Sequence, residues 1–195
     1  MSIITKEVTD HLFTEARSHN AWQSRDIPED TLHNLYDLMK FAPTSANCSP
    51  LRIVFVKTAE AKAKLKPFMS AGNVEKTMQA PVTAILAFDM DFASHLPKLF
   101  PHVDARPWFA GTESTVRTVA LRNSTIQAAF FIAAARAVGL DTGPMSGFDE
   151  AGLNAAFFAG TRFEANFLVS LGFGDASQMK PRLPRFGFDE VCKVI

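Results

Sequence analysis

Disulfide chemistry has almost nothing to work with in this chain. Among 195 residues there are two cysteines, Cys48 and Cys192, far apart and in no CxxC pair. That excludes a disulfide-framed scaffold, and the expectation is two free thiols in a reducing cytosol. Net charge is lacking too, since twenty Lys and Arg balance twenty Asp and Glu. A nucleic-acid coat or a general membrane-surface binder carries a basic excess, so neither nucleic acid nor membrane is expected as a partner. Long hydrophobic runs are missing: the most apolar, residues 128–135, is bracketed by Gln127 and Arg136 and is too short to span a bilayer. The N-terminal stretch lacks the continuous apolar core of a signal peptide. A cytoplasmic protein is expected.

Familiar catalytic motifs are also absent. Gly172-Phe173-Gly174 starts like a dinucleotide fingerprint, but Ser177 stands where the third glycine belongs and Lys-Pro-Arg follows instead of a helix. No GxxxxGK[ST] phosphate loop occurs. Gly143-Pro144-Met145-Ser146-Gly147 has two residues before its serine, one too many for a nucleophile elbow. The five histidines form no HExxH and no cluster with zinc spacing, so no metal site is expected. Cys48 precedes Ser-Pro and could serve as a nucleophile, but an inert, half-buried thiol is the better reading.

What the chain has in quantity is phenylalanine, 18 residues beside one Tyr and two Trp. So much apolar aromatic surface, with so little charge to keep copies apart, predicts a subunit that buries some of it against a partner. The length suits one domain over residues 1–195, with roughly 70% of its unfolded surface buried on folding. A short helix is predicted over 8–19, and Leu32, Leu35, Leu38 and Met39 keep helical spacing up to Phe41. Residues 52–58 and 82–89 read as buried strands, with a modest surface helix at 60–69 between them. Residues 112–139 form a long helix, apolar nearly all round and punctuated at Gly139. Another helix over 148–158, a strand within 165–175 and a basic, Pro-containing tail complete a mixed sheet layered with helices.

Three separated segments carry a joint likeness: Arg17-Ser18-His19-Asn20-Ala21-Trp22, Ala42 to Pro50 (APTSANCSP), and Gly139 to Gly147 (GLDTGPMSG). With the tail Lys180-Pro181-Arg182-Leu183-Pro184-Arg185 they resemble the FMN-dependent nitroreductase family over essentially the whole chain. PTSANCSP, LFPHVDAR and GLDTGPMSGF look most like its malonic semialdehyde reductase branch, of bacterial uracil breakdown. The resemblance implies an α+β fold with a mixed, mainly antiparallel sheet and a long central helix at a homodimer interface. It also implies an enzyme in which NADH or NADPH gives hydride to FMN N5 and a second substrate then takes it, in ping-pong fashion. That substrate is malonic semialdehyde, reduced to 3-hydroxypropionate, or a broader range of nitroaromatics and quinones. A flavin-binding protein without turnover is the alternative from another class.

The resemblance places Arg17 at the FMN phosphate, with one or both of Arg182 and Arg185 arriving from the tail. A phosphate dianion needs cationic N–H donors, which arginine supplies bidentately. Ser18 and Asn20 fall at the phosphate and the pyrimidine edge of the ring. Thr44, Ser45 and Asn47 belong to a loop that the family lends across the dimer, and Gly143, Pro144 and Met145 form a turn along the ring. Many members carry Lys or Arg where Asn20 stands, so a flavin potential lower than theirs is expected from an uncharged amide there. The substrate carboxylate needs a cation. Arg106 is the candidate clamp and His102 the candidate proton donor, in a loop closing over the flavin. The same residues also read as an exposed loop with a local pair to Asp104, and the sequence leaves both readings open.

Overall fold

The computed structural model describes residues 4–195. In chain order the elements are α1 (Lys6–Thr9), α2 (Glu29–Met39), β1 (Leu51–Val56), α3 (Ala59–Leu65), α4 (Ala71–Gln79), β2 (Val82–Asp89), α5 (Leu96–Leu99), α6 (Glu113–Ala137), β3 (Asp141–Met145), α7 (Glu150–Phe157), β4 (Phe163–Gly172) and α8 (Phe188–Val191). The four strands form one sheet in the order β1-β2-β4-β3, and every ladder is antiparallel. The expected α+β class with a mainly antiparallel sheet is what the chain adopts. Its parallel component is one bridge, Ser18 to Thr142.

The sheet lies between two helical layers, and the period-two geometry of β2 shows why. Val82, Ala84 and Leu86 point into a cluster with Leu35 and Met39 of α2 and Ala128, Phe131 and Ala135 of α6. Ile85 and Ala87 point the other way, onto Leu65, Met69 and Leu153 from α3, the turn after it and α7. Alternate side chains leave opposite faces of a strand, so a strand covered on both faces must be apolar throughout. All eight β2 residues are buried. The one carboxylate among them, Asp89, accepts from Arg52 Nη2 at 2.6 Å and from the Asp91 amide at 2.8 Å, as a buried charge requires. Helix α6 starts where Thr112 accepts the Thr115 amide and ends at Gly139, whose φ of +82° suits a residue without Cβ.

Several elements differ from the sequence reading. The first helix is shorter than residues 8–19: α1 passes into a π turn over Asp10–Thr14 and ends before Arg17. Four elements were not foreseen: α4, the short α5 and α8, and β3. Gly143, Pro144 and Met145 make no turn; they pair with Ser170, Val169 and Leu168 of β4. Pro144 is tolerated because β3 is an edge strand, where a missing N–H breaks no ladder on the open side. Within one chain, helix α6 buries Phe131 fully and leaves Leu121, Ile126 and Phe130 37–43% exposed.

The extended segment from Ser18 to Gln23 lies across the ends of β3 and β4. The His19 amide donates to Thr142 O at 2.9 Å, the Gln23 amide to Phe173 O at 2.8 Å, and the Asp175 amide to Ala21 O at 3.0 Å. Three glycines make room for it. A Cβ at Gly143 would sit 2.5 Å from His19 O, one at Gly172 would sit 2.7 Å from the Trp22 ring, and one at Gly174 would overlap the His19 imidazole. Gly174→Ala is therefore expected to destabilise the fold by about 1–3 kcal/mol. Gly72→Ala, in α4 with nothing near its Cβ, should stabilise it by about 0.4–1 kcal/mol. Urea unfolding midpoints with unchanged slopes check both; a Gly174→Ala midpoint equal to wild type would refute the close-approach argument.

Candidate functional site

The docked segment forms one wall of an open cleft of about 1050 Å³, closed by α4 and by the tail from Asp175 to Arg185. Arg17, Ser18, Asn20, Arg182 and Arg185 all line it, so the structure gathers five of the expected cofactor residues in one place. Six cationic side chains face two carboxylates, Glu75 and Asp175, which makes the cleft basic in a protein of zero net charge. Its walls hold each other. Arg17 Nη2 donates to Lys180 O at 2.6 Å, and Arg182 Nη2 to Ala16 O at 3.2 Å, so the N-terminal segment and the tail are tied reciprocally.

Lys76 was missed by the sequence reading, because it belongs to the unforeseen α4. Its Nζ donates to Asn20 Oδ1 at 3.2 Å, and its carbonyl accepts from Trp22 Nε1 at 3.0 Å. Burial lowers the ammonium pKa. A cation that the sequence reading did not place therefore stands beside Asn20. The readable signal was the i, i+4 pair Val74 and Met78 after Ser70, weakened by Gly72 and Asn73, which disfavour helix. Behind the wall, Asp141 accepts the Gly174 amide at 2.8 Å and lies 3.4 Å from His19 Nε2.

Thr44, Ser45 and Asn47 are not at this cleft. Thr44 and Asn47 line a second cavity of about 1300 Å³, bounded by α2, β1 and Leu99 of α5. Ala46, Asn47 and Ser49 hold φ values of +47°, +51° and +39°, a left-handed backbone that costs side-chain-bearing residues of order 1–3 kcal/mol each. The loop keeps this shape through hydrogen bonds from outside it. Its Ser45 amide donates to Asn123 Oδ1 at 2.8 Å, the following Leu51 amide donates to Gln127 Oε1 at 2.9 Å, and Asn47 Nδ2 donates to Leu99 O at 2.9 Å. Asn123 and Gln127 are both buried on α6.

Gly143, Pro144 and Met145 line neither cavity; Met145 is buried and its Sδ accepts from Thr77 Oγ1 at 3.3 Å. His102 and Arg106 also lie outside both. Arg106 holds Asp104 bidentately, Nε and Nη2 each at 2.8 Å, and this pairing draws the Asp104 carboxyl down to about 2. His102 packs edge-on against Phe100, which also meets Trp108.

Residues 14–174 match the sequence model of the nitroreductase family. A protein of Burkholderia lata, provisionally named NADH dehydrogenase/NAD(P)H nitroreductase, is 57% identical over 194 residues, with 100% of both chains covered. Among solved structures, a provisionally assigned nitroreductase of Bacillus subtilis superposes with a TM-score of 0.87 at 22% identity, covering 98% of this chain and 100% of that one. Another from Exiguobacterium sibiricum, solved in complex with FMN, gives 0.83 at 19% identity with both chains fully covered. The chain belongs to the nitroreductase family.

The cysteine alternative meets a direct obstacle. Cys48 is fully rather than half buried, and burial pushes its thiol up to about 11. A thiol raised in this way stays protonated at neutral pH and is a poor nucleophile. Cys192 is exposed. A thiol reagent at pH 8 is expected to modify Cys192 in the native protein and Cys48 only after denaturation. The sign follows from the raised value: the folded state favours the neutral thiol, and that advantage is lost as pH climbs through the unfolded pKa toward 11. Rapid native labelling of Cys48 would restore the nucleophile reading.

Proposed function

We propose that the chain is an FMN-dependent NAD(P)H oxidoreductase working as a cytoplasmic homodimer. The observation that carries this reading is the basic cleft itself, where Arg17, Ser18 and Asn20 meet Arg182 and Arg185 from the far end of the sequence. Its donor set fits FMN: guanidinium groups suit a phosphate dianion, and a short hydroxyl and an amide suit the polar rim of a ring. The FMN-bound Exiguobacterium neighbour and the NAD(P)H nitroreductase name of the Burkholderia relative support the same assignment. Bound there, FMN supplies a two-electron carrier that accepts a hydride from reduced nicotinamide and passes it to a second substrate.

The chain's own residues hold and bias that carrier. Arg17, with Arg182 and Arg185, takes the phosphate, and Ser18 adds a hydroxyl donor beside them. Asn20 presents its amide to the pyrimidine edge, and Lys76, bonded to Asn20 Oδ1, places a cation where negative charge gathers on reduction. Thr44 and Asn47 face a separate cavity and Ser45 lines neither, so one chain does not surround one flavin with both sets. A second copy of the chain brings the loop to the partner's cleft. The half-exposed Leu121, Ile126 and Phe130 of α6 offer apolar surface to that contact. Gly143, Pro144 and Met145 serve by backing the docked segment rather than by forming a turn.

The physiological substrate we assign is malonic semialdehyde, on the resemblance of the loop Leu99 to Arg106 and its flanking segments. Hydride reaches the aldehyde carbon, a proton reaches its oxygen, and the products are 3-hydroxypropionate and NAD(P)+. In this reading His102 gives the proton and Arg106 binds the carboxylate, releasing Asp104 in exchange. That exchange favours a second reading, a broad nitroaromatic or quinone reductase, because Arg106 already has a carboxylate partner.

The purified protein is expected to be yellow and to bleach anaerobically on adding NADH or NADPH, and to sediment as a dimer. A colourless chain that FMN cannot reconstitute would overturn the cofactor assignment, and a stable flavin-loaded monomer would overturn the shared site. Arg106→Ala is expected to lower kcat/KM for malonic semialdehyde about 10–100-fold while leaving a neutral quinone nearly unchanged. Equal losses on both substrates would reject the clamp.

A further inference from the structure

Arg136 closes the C-terminal turn of α6 and lines the basic cleft beside Arg17 and Arg182. It is anchored from two sides. Its Nη1 donates to Leu12 O at 2.7 Å, and its own carbonyl lies 2.7 Å from His11 Nε2, which the protonated or Nε2–H tautomer satisfies by donating. The guanidinium is therefore fixed against the segment that carries Arg17. Its Nε is buried and meets no acceptor. A buried N–H left in that state costs free energy, so a working site is expected to supply an acceptor. The carboxylate nearest in charge is Asp141, but that group already accepts the Gly174 amide and faces His19.

The other arginines of the cleft commit fork N–H groups to backbone carbonyls. Arg17 holds Lys180 O, Arg182 holds Ala16 O, and Arg185 holds the carbonyls of Leu183 and Pro184. Each of these contacts uses one Nη and steadies a wall while leaving further N–H groups for a ligand. Arg136 has a buried donor left over, and the chemistry that matches a fixed guanidinium is an oxyanion with several charged oxygens.

We propose that Arg136 is a further phosphate-binding arginine of the cleft, and that it makes the site select a flavin bearing a terminal phosphomonoester over one without it. The proposal rests on the FMN reading above and assigns a residue to the anionic end of that ligand. Arg136→Met keeps the stem and removes the donors, and the readout is equilibrium affinity of the apoprotein, measured by flavin fluorescence quenching, for FMN and for riboflavin. About a tenfold or greater loss for FMN, with riboflavin affinity held within about twofold, is the expected result, the worth of one charge-assisted hydrogen bond. Parallel losses on both ligands would overturn the proposal, showing that Arg136 only braces the N-terminal segment. An unchanged FMN affinity would overturn it too. Should Arg136→Met fail to fold, Arg136→Lys keeps the charge and loses the planar fork, and the same selective loss at smaller size is expected. The ³¹P resonance of bound FMN should shift between wild type and variant; an identical resonance would count against direct contact. Failure of the FMN reading is separate, since wild-type apoprotein would then bind neither flavin.

Discussion

The docking of Ser18–Gln23 onto the ends of β3 and β4 is the constraint on which the candidate site depends. It is a steric arrangement before it is a chemical one. Gly143, Gly172 and Gly174 leave the sheet bare where His19 and Trp22 descend, and the backbone hydrogen bonds to Thr142 and Phe173 follow from that close approach. Once the segment is down, Asn20 faces Lys76 and Trp22 takes the Lys76 carbonyl, so α4 is fixed by the same contact. The tail then completes the cleft, its Lys180 carbonyl accepting from Arg17 and its Arg182 donating to the Ala16 carbonyl. A side chain at any of the three glycines would be felt along this whole sequence of contacts.

The sequence was most legible where burial imposed a simple period. Strand β2 was placed over its full length because both its faces are covered and its run is therefore apolar. Strand β3 was not, since a proline and a glycine in five residues imitate a turn, and only its edge position with Ser18 beside it explains the tolerance. Gly172 and Gly174 looked like a broken nucleotide fingerprint; they are the floor under Trp22 and His19. For the cleft, the arginines and Ser18 were accessible through family likeness. Lys76 and Arg136 were not, because each enters through helix geometry that no local motif records. The polar residues of α6 tell the same story: Asn123 and Gln127 interrupt an apolar helix, and their function is to accept backbone amides across the fold.

Charge is organised on the scale of the site and not of the molecule. Equal totals of acid and base conceal a cleft in which cations predominate, while the opposite end of the sheet gathers its own pairs. Arg52 covers Asp89, and Arg117 reaches both Glu150 and Glu164. These pairs engage Arg52 and Arg117 away from the cleft, and the local field near Arg17 arises from a few residues placed by tertiary contacts. That placement makes the cleft locally basic without the long-range attraction to polyanions that a basic protein would carry.

The reciprocal tie between the N-terminal segment and the tail also sets the timing of assembly. Its hydrogen bonds join residues 163 and 166 positions apart, so they close nearly the largest loop this chain offers. On the ribosome, where chains emerge from the N-terminus onward, Arg17 is exposed early and waits for a wall that is made last. The sheet and its helical layers can form around their own apolar clusters in the meantime. The last wall of the cleft therefore closes only after synthesis has passed the tail, and a chain truncated before Lys180 would lack both of the arginine–carbonyl ties that hold this wall in place.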